Sequence, residues 1–223
     1  MPFVFTCLIG VCRRFTFTIS LFGRNYASLE DTFLTMGETM PKGRLRLART
    51  VVLVGMMGAG KTAIGRALAG RLGVDLQDSD AEIVQSARMS IAEIFERDGE
   101  AFFREKEAQV IARLLESPPC VLSTGGGAWL SKENREMISA RAAVMWLEAD
   151  LDLLWQRVRH KNTRPLLQTE NPRATLAGLL KARTPAYATA AMKVKVEPAW
   201  SIARTTDEVL ARLLAEGVVE GVG

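Results

Sequence analysis

The chain has 223 residues, of which 48% are hydrophobic and 24% charged, a composition typical of one soluble globular domain of ordinary size. No apolar run is long enough to span a membrane, and a single histidine with three poorly spaced cysteines argues against a histidine metal site or a disulfide framework. The net charge of +4 lies wholly in the first 50 residues, and the neutral remainder does not favour nucleic acid as a partner.

Residues 1–47 differ in composition from the rest of the chain. An apolar stretch at residues 3–12 is followed by two arginines, which is the reverse of the order in a secretory signal. We expect an extension that does not fold, or that is not translated because Met36 or Met40 is the true start, and hence a cytoplasmic protein. The alternative is an organelle transit peptide, because such peptides are also poor in acidic residues.

From residue 48 to residue 217, short β-branched runs alternate with amphipathic helical stretches. Strands are predicted at residues 51–54, 74–77, 120–123, 143–147 and 192–196. Helices are predicted at residues 61–72, 90–98, 100–116, 132–140, from 150, at 172–191 and at 205–215. This alternation predicts an α/β domain of three layers, α/β/α, around a five-stranded parallel sheet, with residues 218–223 as a tail.

Residues 55–62 match the phosphate-binding pattern G-x-x-x-x-G-K-[ST], directly after a predicted strand and before a predicted helix. The backbone N–H groups of such a loop point at phosphate oxygens, and the helix N-terminus adds positive partial charge. Lys61 is placed to reach the β- and γ-phosphates of ATP, and Thr62 to join the Mg²⁺ shell. The remaining chain has little room for the partner-sensing parts of a motor or GTPase, so a small kinase is favoured.

Three further groups lie after predicted strands or at a helix start, where ligands of parallel sheets bind. Asp78 and Asp80 follow the second strand and can serve Mg²⁺ and an acceptor hydroxyl. The alternative is a helix N-cap plus a first-turn acid, which Asp80 could satisfy. Glycines 125–127 follow the third strand and let a substrate lie against backbone, with a flexible turn as the alternative. Arg104 lies near a helix N-terminus, where the helix dipole does not stabilise a cation, and this favours a role in binding an anion. The alternative is a surface ion pair with Glu107.

In this order, the motifs resemble the shikimate kinase family over about residues 48–215. The matching residues are 55–62, Asp78 and Asp80, 98–100 with Phe103, Arg104 and Glu107, 125–127, 162–166, and Arg183-x-Pro185-x-Tyr187. The resemblance implies a nucleoside-monophosphate-kinase-like P-loop fold with strand order 2-3-1-4-5. It also implies transfer of the γ-phosphate of ATP to the 3-hydroxyl of shikimate, on the route to chorismate and the aromatic amino acids.

On the nucleotide side, the resemblance implies that the loop, two arginines and a lid hold ATP and Mg²⁺. The ATP-binding residues would be Gly58, Ala59, Gly60, Lys61, Thr62, Ala63, Arg157, which would lie by the adenine, and Arg164. Lys61 and Arg164 would act catalytically on the phosphates, Arg164 from a lid at residues 160–172. Thr62 would bind Mg²⁺, and Asp78 would do so through water.

On the acceptor side, the resemblance implies that Asp80 binds the reacting hydroxyl and takes its proton. Arg104 and Arg183 would bind the shikimate carboxylate, and Gly126 and Gly127 would contact the ring hydroxyls. We expect a monomer whose partners are its small-molecule substrates. Two alternatives stay open: another small-metabolite or nucleotide kinase of this fold, such as a gluconate or adenylate kinase, and a non-catalytic ATP-binding regulator.

Overall fold

Strands and helices alternate along residues 44–160 and 165–222, which are the residues that this computed structural model describes. The strands are β1 (Arg44–Leu47), β2 (Val51–Val54), β3 (Leu76–Asp78), β4 (Val121–Ser123), β5 (Ala143–Glu148), β6 (Met192–Lys195) and β7 (Val219–Val222). The helices are α1 (Lys61–Leu72), α2 (Ser79–Ala87), α3 (Ile91–Leu114), α4 (Lys132–Arg141), α5 (Leu151–Val158), α6 (Pro172–Tyr187) and α7 (Ile202–Ala215). Within these ranges, no helix has the length and apolar character that crossing a membrane requires.

The central sheet has five parallel strands in the order β3-β4-β2-β5-β6. Counted along the chain from β2, this is the predicted order 2-3-1-4-5, which is confirmed. β2 lies in the middle, paired with β4 and β5, and all four of its side chains are buried. A continuous apolar run is expected for a strand that is covered on both faces. The phosphate-binding loop follows the carboxyl end of β2 and therefore begins at the middle of that edge of the sheet.

Local sequence signals account for several helix ends. Ser90 and Glu93 form a reciprocal capping box at the start of α3, and the left-handed Gly73 ends α1. α3 is interrupted at Gly99, whose φ of 83° and ψ of 170° are not helical, so it consists of the two successive helices that the sequence predicts. α2 was not predicted, because its first residue directly follows the last residue of β3.

The core lies between the sheet and the helices that cover it. α1 packs against β2, β3 and β4 and also against α7, whereas α4 packs against β5. The largest fully buried side chains include Leu53, Trp129, Met145 and Leu154. A smaller cluster of Ile83, Ile94 and Phe103 joins α2 to α3. This second cluster fixes the part of α3 that carries Arg104, next to Phe103.

A two-stranded ribbon pairs the two ends of the described chain. β1 and β7 run antiparallel from the pair Arg44 and Val222 to the pair Leu47 and Val219. Leu47 and Val219 are buried, and an exposed Arg46–Glu220 ion pair of 2.7 Å spans the strands. Both strands lie outside the predicted range of 48–217, and their pairing adds them to the folded part of the chain.

Candidate active site

The phosphate-binding loop joins β2 to α1, in the context that the sequence predicts. Gly55, Gly58 and Gly60 have φ values of 140°, 86° and 100°, which residues with side chains rarely adopt. Lys61 Nζ donates hydrogen bonds to the carbonyl oxygens of Gly55 at 2.8 Å and Met56 at 3.2 Å. The lysine is thereby folded over its own loop, with its ammonium group beside the backbone that forms the phosphate cradle.

Arg157 of α5 supports the loop from the other side. Its Nη1 donates to the carbonyl oxygens of Gly58 at 3.2 Å and Ala59 at 3.3 Å. Burial lowers the pKa of Arg157 below its ordinary value. The side chain also lines the cavity that the loop borders. The structure therefore brings Arg157 to the phosphate-binding loop.

Asp78 and Asp80 occupy different places at the start of α2. Asp78 is the N-cap, because its Oδ1 accepts from the backbone N–H of Asp80 at 3.1 Å and of Ala81 at 3.3 Å. Its Oδ2 accepts a 3.2 Å hydrogen bond from Thr62 Oγ1. The alternative of an N-cap with an acid in the first helical turn is therefore present, with Asp78 as the cap, where the backbone is extended, and Asp80 in the first turn.

The Asp80 carboxylate lies against the glycine loop, residues 125–127, which follows β4. A Cβ atom on Gly125 would stand 2.6 Å from Asp80 Oδ1 and 3.0 Å from Glu107 Oε1. Three strand ends, those of β2, β3 and β4, thus bring Lys61, Asp80 and the glycine loop to one edge of the sheet.

Arg104 and Glu107 form an ion pair beside this loop. Arg104 Nη1 donates to Glu107 Oε2 at 2.9 Å, and its Nη2 donates to Glu100 Oε1 at 3.0 Å. A Cβ atom on Gly127 would lie 2.7 Å from Arg104 Nη2, so the guanidinium rests on the glycine loop. The Glu107 pairing that sequence analysis held as a surface alternative exists, but the Glu107 side chain is only 1% exposed.

Burial shifts the titration of Glu107. Loss of solvation raises the pKa of this carboxyl above its ordinary value; the Arg104 ion pair opposes the shift and the negative charge of Asp80 adds to it. Oε1 of Glu107 is buried without a hydrogen-bond partner in the described ranges. The carboxylates of Asp80 and Glu107 and the guanidinium of Arg104 therefore lie close together in a part of the site that is partly shielded from solvent.

Arg183 of α6 approaches the glycine loop from another direction. Its side chain is buried, and a Cβ atom on Gly126 would lie 3.6 Å from its Nη1. Among residues 44–160 and 165–222, no ion pair includes Arg183. The two predicted substrate arginines, Arg104 and Arg183, thus border successive glycines of the same loop.

A cavity of about 510 Å³ runs along these groups. Its walls include residues from the phosphate-binding loop and α1, the two aspartates, the end of β4, and one segment after β6: Gly58, Gly60, Lys61, Thr62, Ala63, Asp78, Asp80, Gly125, Gly126, Arg157, Trp200, Ile202 and Thr205. Arg104, Gly127 and Arg183 do not line it; Arg183 lies beside Gly126, which does, and Arg104 lies beside Gly127. The last wall, Trp200 to Thr205, was missed, although it follows a predicted strand and so carries the same positional signal as the others.

Arg164 belongs to residues 161–164, the part of the predicted lid, 160–172, that lies outside the described residues. The chain continues with a short 3-10 turn at Pro165–Leu167, and Leu167 is buried. The predicted position of Arg164 at the phosphates stays a prediction.

A phosphate-binding loop at the centre of a parallel sheet, with two aspartates and a glycine loop at the same sheet edge, is the arrangement of a P-loop kinase. The family model for shikimate kinase matches residues 57–214. The chain belongs to the shikimate kinase family.

Individual relatives agree with this assignment. The shikimate kinase of Ruegeria pomeroyi is 61% identical over 176 residues, which are 79% of this chain and 90% of that protein. The shikimate kinase of Cereibacter sphaeroides is 63% identical over 150 residues, 67% of this chain and 75% of that protein. A solved structure of shikimate kinase from Acinetobacter baumannii in complex with shikimate has 38% identity and a TM-score of 0.72, covering 75% of this chain and 94% of that one.

Proposed function

We propose that this protein transfers the γ-phosphoryl group of ATP to the 3-hydroxyl of shikimate, forming shikimate 3-phosphate and ADP on the route to chorismate. The observation that carries the acceptor assignment is Arg183, whose guanidinium is 9% exposed and has no ion pair in the described part of the chain. Burying a cation without a counter-charge is costly, so an anionic ligand is the natural partner. The carboxylate of shikimate supplies that charge.

The two arginines account for a carboxylated acceptor. Arg104 rests on Gly127 and Arg183 lies beside Gly126, so both border the loop on which the ring of the substrate would lie. Arginine forms charge-assisted and often bidentate hydrogen bonds with carboxylates, whereas a neutral polyol would supply no charged partner to the buried Arg183 guanidinium. We assign the carboxylate to Arg104 and Arg183, and the ring hydroxyls to Gly126 and Gly127.

The phosphoryl transfer itself requires positioning and charge stabilisation. Asp80 orients the 3-hydroxyl and accepts its proton as the new O–P bond forms, while the bond between the γ-phosphorus and the β,γ-bridging oxygen breaks and ADP leaves. Lys61 and Arg164 stabilise the negative charge on the transferring group. The loop from Gly58 to Ala63 holds the phosphates of ATP, and Arg157 lies toward its adenine.

Thr62 and Asp78 suit a Mg²⁺ ion. Their side-chain oxygens are 3.2 Å apart, and both residues line the cavity beside the phosphate-binding loop. Mg²⁺ in kinases is held by one or two protein oxygens together with water and phosphate oxygens. We propose that Thr62 would hold the ion directly and Asp78 through water; the ion would supply positive charge beside the phosphates.

The remaining properties follow from charge and composition. We propose a cytoplasmic monomer with no nucleic-acid or membrane partner. The balance of basic and acidic residues after residue 50 supports the absence of a nucleic-acid partner, because a neutral body has no long-range field to gather polyanions.

A substrate panel with coupled detection of ADP tests the proposal. Shikimate should start ADP release in the presence of Mg²⁺ and ATP, whereas gluconate and AMP should not, and chelation of Mg²⁺ should stop the reaction reversibly. Faster release with gluconate or AMP would favour another kinase of this fold. ATP binding without any shikimate-dependent release would favour a non-catalytic regulator.

A further inference from the structure

Tyr187, the last residue of α6, lies where three parts of the site meet. Its side chain is 1% exposed, and its hydroxyl donates a 2.6 Å hydrogen bond to the carbonyl oxygen of Gly126. The same hydroxyl lies 3.9 Å from Sδ of Met56 in the phosphate-binding loop. Its ring stacks on Trp146 of β5, with ring centroids 6.2 Å apart. One hydroxyl therefore contacts both the glycine loop and the phosphate-binding loop.

Arg183, one helical turn earlier in α6, lies close to this hydroxyl: Nη1 of Arg183 and the hydroxyl oxygen of Tyr187 are each 3.6 Å from the point that a Cβ atom on Gly126 would occupy. Burial raises the pKa of Tyr187, and the nearby positive charge of Arg183 opposes that shift. The phenol is thus protonated at neutral pH. Its single proton is given to the Gly126 carbonyl, and its oxygen is left to accept from the guanidinium. The tyrosine links the buried cation to the loop that borders it.

We propose that Tyr187 is a positioning residue of the acceptor site, whose hydroxyl holds Arg183 beside Gly126 in the orientation that binds the substrate carboxylate. This inference rests on the proposed function. A guanidinium has five N–H donors, so an interaction with the tyrosine leaves others for a carboxylate. Tyr187 then sets the affinity for the acceptor, while the nucleotide binds on groups that it does not orient.

The variant Tyr187→Phe removes the hydroxyl and keeps the stacked ring. We expect the KM for shikimate to rise about tenfold, the usual effect of losing one hydrogen bond to a charged group. The KM for ATP should stay within about twofold of the wild-type value, and kcat should change less than the KM for shikimate. An unchanged KM for shikimate, or equal changes in both KM values, would overturn the inference.

Trp129→Phe is the matched control for a merely structural effect. The buried Trp129 donates its indole N–H to the carbonyl oxygen of Ala186 at 2.9 Å, so this variant loosens the same end of α6 without removing a contact of Arg183. We expect a lower Tm with a KM for shikimate within about twofold of wild type. If both variants raise that KM alike, or if Tyr187→Phe is not folded at the assay temperature, Tyr187 acts on folding and the inference is wrong.

A double-mutant cycle with Arg183→Lys tests whether the tyrosine acts through the arginine. In the lysine background, Tyr187→Phe should add less than about twofold to the KM for shikimate. A full additional tenfold increase would overturn the inference. Wild-type protein without any shikimate-dependent turnover would instead contradict the proposed function, so the two failures are distinguishable.

Discussion

Glu107 illustrates how a single residue of this site departs from its ordinary behaviour. It pairs with Arg104 at 2.9 Å, yet its pKa is raised, because burial costs the charged form more than the ion pair returns and Asp80 adds repulsion. The folded protein therefore retains a proton on Glu107 over a pH range in which the unfolded chain has released it.

This linkage predicts a pH-dependent stability difference between wild type and Glu107→Gln. Above the ordinary pKa of 4.5, the unfolded state has lost the proton and the folded state has not. The free energy of unfolding of wild type, relative to the variant, should therefore fall as the pH rises through this window, by at most about 1.4 kcal/mol per pH unit.

Urea unfolding at several pH values between about 4 and 7 measures this difference. The exposed Glu105→Gln is the matched control, because it removes a carboxylate from the same helix without opening the buried pair. A stability advantage of wild type that grows with pH would mean that the Arg104 ion pair outweighs burial, contrary to our account.

Some features of individual site residues could be predicted from the sequence, and others could not. Lys61 and Thr62 could be placed because the spacing of the loop pattern fixes them relative to a strand and a helix. Which of Asp78 and Asp80 caps α2 could not be predicted, because it depends on which backbone is extended at the end of β3. The burial of Glu107 was equally hidden, since i,i+3 ion pairs are usually exposed.

At the level of elements, the break in α3 sets the direction of the helical segment that carries Arg104. Gly99 separates the capped segment that begins at Ile91 from the segment that carries Arg104. Its φ of 83° and ψ of 170° lie in a region that is essentially restricted to glycine. The change of direction is therefore encoded by one residue.

Gly99→Ala should lower the free energy of unfolding by about 1–3 kcal/mol, because alanine is strained in this conformation. Gly178→Ala in α6 is the matched control: neither added Cβ would have a neighbour within 4 Å, but Gly178 is not among the glycines with positive φ. That variant should gain about 0.5–1 kcal/mol from helix propensity. Chemical denaturation of both variants checks the opposite signs, and equal effects would contradict the backbone argument.

Most elements were predictable, because buried strands and amphipathic helices leave periodic patterns. The predicted strand at residues 74–77 appears as Leu76–Asp78, and the predicted helix at 172–191 ends at Tyr187. The ribbon of β1 and β7 was missed, since its two strands have only four residues each and pair across the length of the domain. Long-range pairing of this kind leaves no local trace.

At the level of the whole molecule, the site depends on contacts between distant parts of the chain. The strand order explains why the groups after β2, β3 and β4 converge, and the resemblance to shikimate kinases supplied that order. The place of Arg183 beside Gly126 depends on the docking of α6 near the glycine loop, where Tyr187 donates a hydrogen bond to the Gly126 carbonyl oxygen. Such packing is a tertiary property that motif spacing does not determine.

The central claim is that Asp80 faces an acceptor hydroxyl across a crevice in which ATP binds independently. Asp80→Asn tests it most directly when kcat and nucleotide affinity are measured on the same sample. We predict that shikimate-dependent kcat falls by at least about 100-fold. The Kd for ATP by titration calorimetry should stay within about twofold of wild type, and the exposed Asp75→Asn should leave both quantities unchanged. Wild-type turnover by Asp80→Asn, or a loss of ATP binding that accounts for the lost turnover, would contradict the account.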